Sequence, residues 1–476
     1  MCTASNIHYE LSDRIRGIDT GGIGAMHRLA RHTGLIEEID GRVVVLKAHL
    51  PYHESDHVLG IAYNILCGGT CLQDIELRRQ NEVYLDALGA QRIPDPTTAG
   101  DFCRRFKTEA SIESLMTAVN ETRLRVWGRQ PKSFFREAMI DADGTLAETT
   151  GECKEGMDIS HKGIWGYHPL VVSLANTGEP LYLVNRSGNR PSHEGAASRF
   201  DQAAALCRRA GFRRITFRGD TDFTQTKYLD DWDAKAIRFV FGSDARLNLV
   251  EIAEALPGKA WTRLVRRDKY EMKTDPRRSP ENVKDIKVIE HNFQNLRLRS
   301  EDVAEFEYKP TSCKTTYRMV VVRKNITVEQ GAQRLFDDIR YFFYLTNDRK
   351  TSAAEIVFLA NERCNQENLL SQLKNGVQAM QMPVDTLLSN WAYMVMGSLA
   401  WTLKAWFALL LPEGGRWAER HGREKLTVLR MEFKDYCINN GMMFLEVSDA
   451  TSRIGGLAGR STTSSAGTLG RRVVAQ

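Results

Sequence analysis

Apolar residues recur every three to four positions through the first part of the chain, up to about residue 130. Segments such as LSDRIRG, GAMHRLARHTG and DHVLGIAYNILCGG have this spacing and are separated by glycine or proline. Such a period places the apolar side chains on one face of an α-helix. The pattern predicts a helical N-terminal region over residues 1–130, in which Thr97 and Thr98, just after Pro96, cap one of the helices.

From Glu137 the period shortens to two, which is typical of strands. The segments EAMIDADGTL, WGYHPLVVSLA and EPLYLVNRS follow one another and predict an antiparallel meander. A helix ending at Gly211, a strand, a short helix and another strand come next. The order β-β-β-α-β-α-β predicts an α/β fold with a mixed sheet flanked by helices, because parallel strands need helical crossovers. We expect residues 131–250 to form the first part of this core.

Residues 251–345 show short alternating segments, including KVIEHNFQNLRLRS and TTYRMVVVRKN, and predict a β-rich insertion. Residues 346–448 are expected to complete the core with helices, of which the first runs from Ser352 to near Gly376. The apolar stretch 391–411 contains a threonine and a lysine, and it predicts a buried helix rather than a membrane span. Residues 449–476 are rich in Gly, Ser and Thr and are expected to be disordered.

The composition is that of a globular protein. The chain has 476 residues, enough for more than one domain, with 42% apolar and 26% charged residues. Nine irregularly spaced cysteines indicate free thiols in a reducing compartment, and we expect a cytoplasmic protein. The net charge of +5 is mild, but the segment 259–278 alone carries an excess of five basic residues, from eight Lys and Arg against three acids. Its partner is therefore expected to be a polyanion.

Two pairs of aspartates follow apolar strands. Asp141 and Asp143 alternate near the end of the first strand, so their side chains point to the same face of the sheet. Asp220 and Asp222 follow the strand that contains ITF. Carboxylates at the carboxyl ends of neighbouring strands meet at one edge, where they can hold Mg²⁺ or Mn²⁺. The simpler alternative is that these aspartates only begin turns.

A third acid lies on the helix predicted after the insertion. Arg363, Glu367 and Lys374 are spaced by four and seven, which at ~100° per residue places them within a ~40° sector of a continuous helix. If that face covers the strand ends, Glu367 joins the aspartates, and the two basic residues can bind phosphates. The alternative is an ordinary solvated helix face.

These residues resemble the DDE transposases of bacterial insertion sequences, specifically the group with the Y-R-E-K signature. The signature has the family spacing at Ala360, Arg363, Glu367 and Lys374, with alanine in place of the usual tyrosine. The segment Asp143-Gly144-Thr145 is similar to the D-x-T at the first acid, and RGDTDF at 218–223 is similar to the second. The resemblance covers residues 50 to 440 and implies a ribonuclease-H-like sheet flanked by helices, interrupted by a β-rich insertion.

The resemblance also implies an activity. It implies that two Mg²⁺ or Mn²⁺ ions are held by Asp143, Asp220 and Glu367, with Asp141 as the rival for the first position. The implied reaction is hydrolysis at transposon ends followed by strand transfer of the 3′-hydroxyl into target DNA. The implied partners are DNA, both terminal inverted repeats and target, and further copies of the chain as a dimer or higher oligomer. The helical region 1–130 is then expected to bind DNA or dimerise.

The residues expected to contact DNA come from two places. Arg363 and Lys374 flank the last acid, and the basic segment supplies Arg263, Arg266, Arg267 and Lys269 for the phosphate backbone. Trp261, in the same segment, is a candidate for stacking on a flipped base. A tryptophan buried in the core is the alternative.

Three other functions compete with this one. IDADGTL also resembles the first motif of haloacid-dehalogenase-type phosphohydrolases, in which Asp141 would be the nucleophile. The stretch 53–57 matches the zinc motif H-E-x-x-H, although its place just after Pro51 is explained by an acidic, capped first turn of a helix. A relative that binds transposon ends without cutting them is the third alternative.

Overall fold

The structure is a computed structural model that describes residues 20–49, 51–151, 153–266 and 283–410. The segment LSDRIRG and the tail 449–476, for which the sequence makes predictions, lie outside these residues.

The first part of the described chain is helical, as the apolar spacing predicts. These helices bury their apolar faces against one another, and several of them also pack against a long helix from the C-terminal part. The helices are α1 (Ile23–Thr33), α2 (Leu35–Arg42), α3 (Glu54–Leu66), α4 (Ile75–Arg79), α5 (Glu82–Leu88), α6 (Pro96–Arg104) and α7 (Glu109–Trp127).

The cap of α6 differs from the prediction. Asp95 caps this helix, and its side chain accepts a hydrogen bond of 2.8 Å from the backbone N of Thr98. Pro96 occupies the first helical position, where its missing N–H costs nothing. The prediction that Thr97 and Thr98 are the capping residues is wrong, because both lie within the first turn.

The rest of the described chain is built around β-sheet. Its strands are β1 (Ala138–Gly144), β2 (Ala147–Glu148), β3 (Asp158–Ile159), β4 (Trp165–Tyr167), β5 (Leu170–Leu174), β6 (Glu179–Val184), β7 (Ile215–Gly219), β8 (Arg238–Ser243), β9 (Thr262–Arg263), β10 (Gln294–Tyr308), β11 (Tyr317–Gln330) and β12 (Gln333–Thr346). The helices that accompany them are α8 (Ala196–Ala210), α9 (Leu229–Ala234), α10 (Leu247–Ala255), α11 (Val283–Glu290), α12 (Ala353–Asn361), α13 (Cys364–Ser371) and α14 (Leu387–Leu410).

Among the described residues, nine strands form one mixed sheet in the order β6-β5-β1-β7-β8-β12-β11-β10-β9. The pairs β6–β5 and β5–β1 are antiparallel, which confirms the predicted meander. The pairs β1–β7 and β7–β8 are parallel, with α8 and α9 in the crossovers. The predicted fold class, a mixed sheet flanked by helices, is confirmed.

The strands of the predicted insertion extend this sheet. β12 pairs with β8, and β10 and β11 continue outward from β12. One predicted segment, KVIEHNFQNLRLRS, is only partly a strand, since its first residues belong to α11 and its second half lies in β10. The apolar residues of this short segment fit either period, so length and pattern alone do not separate the two.

The helix predicted from Ser352 to Gly376 begins as expected but is not continuous. Ser352 caps α12 in a reciprocal capping box with Glu355. The chain then turns at residues 362–363, continues as α13, and ends in a wider π-helical turn over Gln372–Gly376. The break separates α12 from α13, which carries Glu367.

The long apolar helix is part of the core. In the described residues one helix, α14, is long and apolar enough to cross a membrane, and 89% of its most apolar window is buried inside the protein. It packs against α3, α7 and β6. This burial agrees with the prediction of a core helix.

A buried carboxylate, Glu179 at the start of β6, joins the helical layer to the sheet. Arg123 Nε and Trp127 Nε1 from α7 each donate to it at 3.0 Å. Trp406 Nε1 from α14 donates at 2.9 Å, and the Thr177 hydroxyl donates at 2.6 Å. Both oxygens of this fully buried side chain therefore have partners, as a buried charge requires.

Candidate active site

Two of the predicted acids lie at the carboxyl ends of neighbouring parallel strands. The register pairs Asp141 of β1 with Arg218 of β7, so two residues further along both strands come Asp143 and Asp220. The Asp143 side chain is 15% exposed. Asp220 begins a short 3-10 turn and accepts a 3.0 Å hydrogen bond from the backbone N of Asp222. The sheet topology thus brings together two residues that are 77 positions apart.

The third acid is carried to the same region by α13. Glu367 lies in the first turn of α13, and Arg363 stands at the N-cap of this helix. Arg363 Nη1 lies 3.4 Å from Asp143 Oδ2, which fixes the start of α13 beside the end of β1. The break before Arg363 separates α12 from α13 but leaves Arg363 and Glu367 on the same helix, and Lys374 follows in the π-helical turn.

A buried glutamine holds α13 against the sheet. Gln366 Nε2 donates to the backbone O of Val171 at 3.2 Å, and the Ser173 hydroxyl donates to Gln366 Oε1. Both partners lie on β5, the strand beside β1. The sequence analysis did not single out Gln366, since a polar residue in a helix gives no local sign of burial.

The charges of the three acids act on one another. Burial raises the pKa of Asp143 to about 6, the Arg363 guanidinium opposes this rise, and the charges of Asp220 and Glu367 add to it. Burial also raises the pKa of Asp220, again opposed by Arg363. Burial lowers the pKa of Lys374, and the charge of Asp143 raises it. The acids and both basic residues of the signature therefore share one electrostatic environment.

Asp141 has a different environment. It is fully buried, and its two oxygens accept hydrogen bonds from Arg218 Nε at 2.7 Å and Nη2 at 2.8 Å. This makes Asp141 a poorer candidate ligand than Asp143. The geometry also argues against the phosphohydrolase alternative, because a nucleophile must be accessible to its substrate.

Gly144 brings a histidine to the end of β1. A Cβ at this position would lie 2.9 Å from His168 Nε2, so a larger residue would displace the imidazole. Nδ1 of the same ring is bonded to the backbone O of Arg190 at 2.7 Å, and burial lowers the pKa of His168. No local pattern around His168 predicts that it lies beside Gly144.

The predicted DNA-contacting residues of the insertion separate into two groups. Arg266 forms an ion pair with Glu301, its Nη2 lying 2.8 Å from Oε1, and Arg263 pairs in register with Asp302. Trp261 packs against Tyr341 and lies under the Arg323 guanidinium at 4.2 Å. Arg267 and Lys269 lie outside the described residues.

The two groups face different sides of the sheet. Tyr344 packs with α12, and the charges of Arg266 and Arg363 both act on its phenol. Tyr341, three residues earlier on β12, points to the opposite face, because strand side chains alternate. Arg266 is thus on the face of the candidate site, whereas Trp261 packs on the other face, against the buried side of the sheet. Its predicted role in stacking on a base finds no support in this position.

The H-E-x-x-H stretch is structural. His53 is the N-cap of α3, Asp56 closes its capping box, and the buried Glu54 accepts hydrogen bonds from the backbone N of Val45 and Leu46. His57 stacks on Phe102, and burial lowers its pKa to about 4. The expected explanation, a capped first turn, is confirmed.

The mixed sheet with carboxylates at its strand ends is compatible with several classes of enzyme, and the comparison with protein families identifies the class. The family model of the DDE transposase domain, Transposase DDE domain group 1, matches residues 19–427. The chain therefore belongs to this family of DDE transposases, and it acts on DNA in transposition. No curated protein matches the chain.

Among the solved structures that match is a chain of piggyBac transposase in a synaptic complex with hairpin DNA. The two chains share 10% identity, with a TM-score of 0.38, over 96% of this chain and 89% of that one.

Enzymes of this family use divalent metal ions. The donor set fits such an ion, because carboxylate oxygens are the ligands that Mg²⁺ and Mn²⁺ prefer and the mutual repulsion of the acids is relieved by a cation. In the described part of the chain, however, no three Asp, Glu, His or Cys side chains are arranged to hold a metal as they stand. Binding therefore requires side-chain rearrangement, and Arg363 is the cation that faces Asp143 and Asp220 in this arrangement.

Proposed function

We propose that Asp143, Asp220 and Glu367 are the catalytic carboxylates of a transposase that cuts transposon ends and transfers the freed strand to target DNA. The observation that carries this proposal is the register of the parallel strands β1 and β7, which places Asp143 and Asp220 at neighbouring strand ends, with Arg363 at the N-cap of α13 lying 3.4 Å from Asp143. Residues from β1, β7 and α13 have no local reason to meet. Their meeting at the strand ends supports a common task.

The proposed ligands would hold two Mg²⁺ or Mn²⁺ ions, which when bound supply the activation of the attacking oxygen and stabilise the leaving one. The chain itself supplies orientation. Asp143 is held on a rigid strand, Asp220 is oriented by its turn, and Glu367 is oriented by the helix that Gln366 anchors. Binding needs ionised carboxylates, so the raised pKa of Asp143 makes metal affinity weaken as the pH falls toward about 6 and below.

Arg363 and Lys374 are proposed to bind DNA phosphates once the acids are neutralised by metal. Arg363 is 19% exposed and can release Asp143 when a metal takes its place. On the same face, Arg266 is proposed to track the backbone. Arg263, Arg267 and Lys269 of the basic segment are also proposed to contact the DNA backbone. The partners are then the terminal inverted repeats and target DNA. Since two ends must be joined, we also propose that a dimer or higher oligomer forms on DNA.

The test is a cleavage assay with end-labelled duplexes taken from the boundary of the transposable element that encodes the chain. We expect the wild type to nick these duplexes with Mg²⁺ or Mn²⁺. Asp143→Asn, Asp220→Asn and Glu367→Gln should each lower the rate by at least about 10⁴-fold, as for single members of other catalytic units. All three should still bind the duplex in a gel-shift assay.

The matched control is Asp231→Asn, which removes an exposed carboxylate from a surface pair with Lys235. Such pairs contribute little to stability, so this variant should cut at the wild-type rate. Cleavage by Asp143→Asn at the control rate would refute the assignment. A wild type that binds the ends and never nicks them, with either metal, would instead favour the DNA-binding alternative.

A further inference from the structure

One buried guanidinium joins its own strand to two other segments around the candidate site. Arg218 is 2% exposed and lies on β7. Two of its nitrogens bind Asp141 on β1. Its Nη1 donates to the backbone O of Leu359 in α12 at 2.9 Å and lies 3.5 Å from Glu362 Oε2.

Each of these segments continues directly into one of the three acids. Asp141 precedes Asp143 by two residues, and Arg218 precedes Asp220 by two. The turn at Glu362 leads into α13, where Glu367 lies five residues further on. Among the described residues, the Arg218 side chain hydrogen-bonds to both Asp141 and Leu359. The same residue lies two positions before the second acid, Asp220.

The helix break makes this contact important. At residues 362–363 the chain passes from α12 to α13, and the backbone N of Arg363 bonds to the backbone O of Ala360 instead of that of Leu359. The backbone O of Leu359, near the end of α12, is bound by Arg218 instead. Arginine suits this position because its planar fork can bind a carboxylate with two nitrogens and a carbonyl with the third.

Stability alone is a weak explanation for such a pair. Replacing a buried ion pair with well-packed apolar residues is often neutral or stabilising. A comparable buried pair, Arg123 with Glu179, is not part of the candidate site. Arg123 is 1% exposed, binds Glu179 at 3.0 Å, and donates to the backbone O of Pro180 at 2.8 Å. The contacts of Arg123 join α7 to β6, whereas those of Arg218 join the segments that carry the site.

We propose that Arg218 is a positioning residue, which, held by Asp141, fixes the turn between α12 and α13 so that Glu367 faces Asp143 and Asp220. The inference rests on the proposed function, because it assigns Arg218 to the assembly of those three acids. Arg218 does not touch the substrate in this role. It acts through the backbone that carries Glu367.

The test compares Arg218→Lys with the matched control Arg123→Lys. Lysine keeps the positive charge in both places but cannot bind the carboxylate and the carbonyl together. Hydrogen exchange is measured on the metal-free protein without DNA. In Arg218→Lys we expect faster exchange of the amides in residues 359–371, with no change there in Arg123→Lys.

The second readout is Mn²⁺ binding, followed by electron paramagnetic resonance without DNA. Loss of a residue that orients metal ligands costs about 10- to 100-fold in affinity, and we expect Arg218→Lys to weaken Mn²⁺ binding within this range. The metal concentration for half-maximal cleavage should rise by the same factor, with partial recovery at high Mn²⁺. Arg123→Lys should leave both values unchanged.

Glu362→Ala serves if Arg218→Lys does not fold, since Glu362 is 64% exposed and its loss leaves the core intact. It should raise exchange in residues 359–371 in the same direction by a smaller factor. Unchanged exchange and unchanged Mn²⁺ affinity in the folded variants would overturn the positioning role. If the wild type itself fails to cleave, or Asp143→Asn cleaves normally, the proposed function fails instead.

Discussion

Two buried carboxylates in this protein, Glu179 and Asp143, differ in the groups that surround the charge. Glu179, between the helical layer and the sheet, accepts hydrogen bonds from an arginine, two tryptophans and a threonine. Asp143, at the end of β1, has a 3.4 Å contact with one arginine and the repulsion of two further acids. The first carboxylate is saturated with donors, and the second is not.

This difference distinguishes a carboxylate that stabilises the fold from one that can bind a cation. A saturated carboxylate stabilises the fold only with all its partners present, and it has no oxygen left for a ligand. A carboxylate with a raised pKa is instead kept at a cost in folding free energy, which a bound cation can offset. Asp141, one residue away from Asp143, combines both features, because its two oxygens are bonded by Arg218 and burial still raises its pKa.

The largest expected effect is on stability. Glu179→Gln leaves the buried Arg123 without its counter-charge and should cost about 3 to 5 kcal/mol of unfolding free energy. Asp143→Asn removes a charge that burial disfavours and should leave stability unchanged or raise it. Urea unfolding followed by circular dichroism measures both. Equal destabilisation by the two substitutions would contradict the comparison.

A bound metal ion should raise the stability of the protein through Asp143. Mn²⁺ at 100 times its Kd should stabilise the DNA-free wild type by about 2.7 kcal/mol, seen as a rise in Tm. Asp143→Asn should lose this rise, and Asp231→Asn should keep it. A full rise in Asp143→Asn would mean that the stabilising ion binds elsewhere.

The smallest effect is a pH dependence of stability. The pKa of Asp143 is about 6 in the folded protein against its usual 3.8, so between these values the folded state binds more protons than the unfolded state. The contribution of Asp143 to stability therefore falls as the pH rises from about 4 to about 6 and stays at its lowest above that. The Tm difference between Asp143→Asn and the wild type should grow across this window. Parallel Tm curves would show that Asp143 titrates normally.

Local pattern was enough to predict part of this molecule. The strand period, the glycine at the end of α8 and the Ser352 cap depend on neighbours in sequence, and they are found as expected. The acids at the strand ends were predicted because sheet topology follows from the order of elements. Their roles remain proposals.

Contacts between distant segments could not be predicted in the same way. Arg218 meets Leu359 across 141 positions, and Gln366 meets Val171 across 195. Nothing next to these residues in sequence indicates that they are buried. The break before Arg363 is similar, because residues 352–376 have good helical spacing and only the packing of α12 and α13 on different strands separates them.

The arm made by β10, β11 and β12 has a mechanical consequence. β12 is 14 residues long, roughly 45 Å of strand, with its outer half exposed and its inner end hydrogen-bonded to β8. β11 is hydrogen-bonded to β10 along one edge and to β12 along the other, so the three strands move as one stiff unit rather than as a flexible loop. A force applied at the turn between β11 and β12 is therefore transmitted to Thr346 at the inner end of β12. Thr346 lies six residues before Ser352, the N-cap of α12.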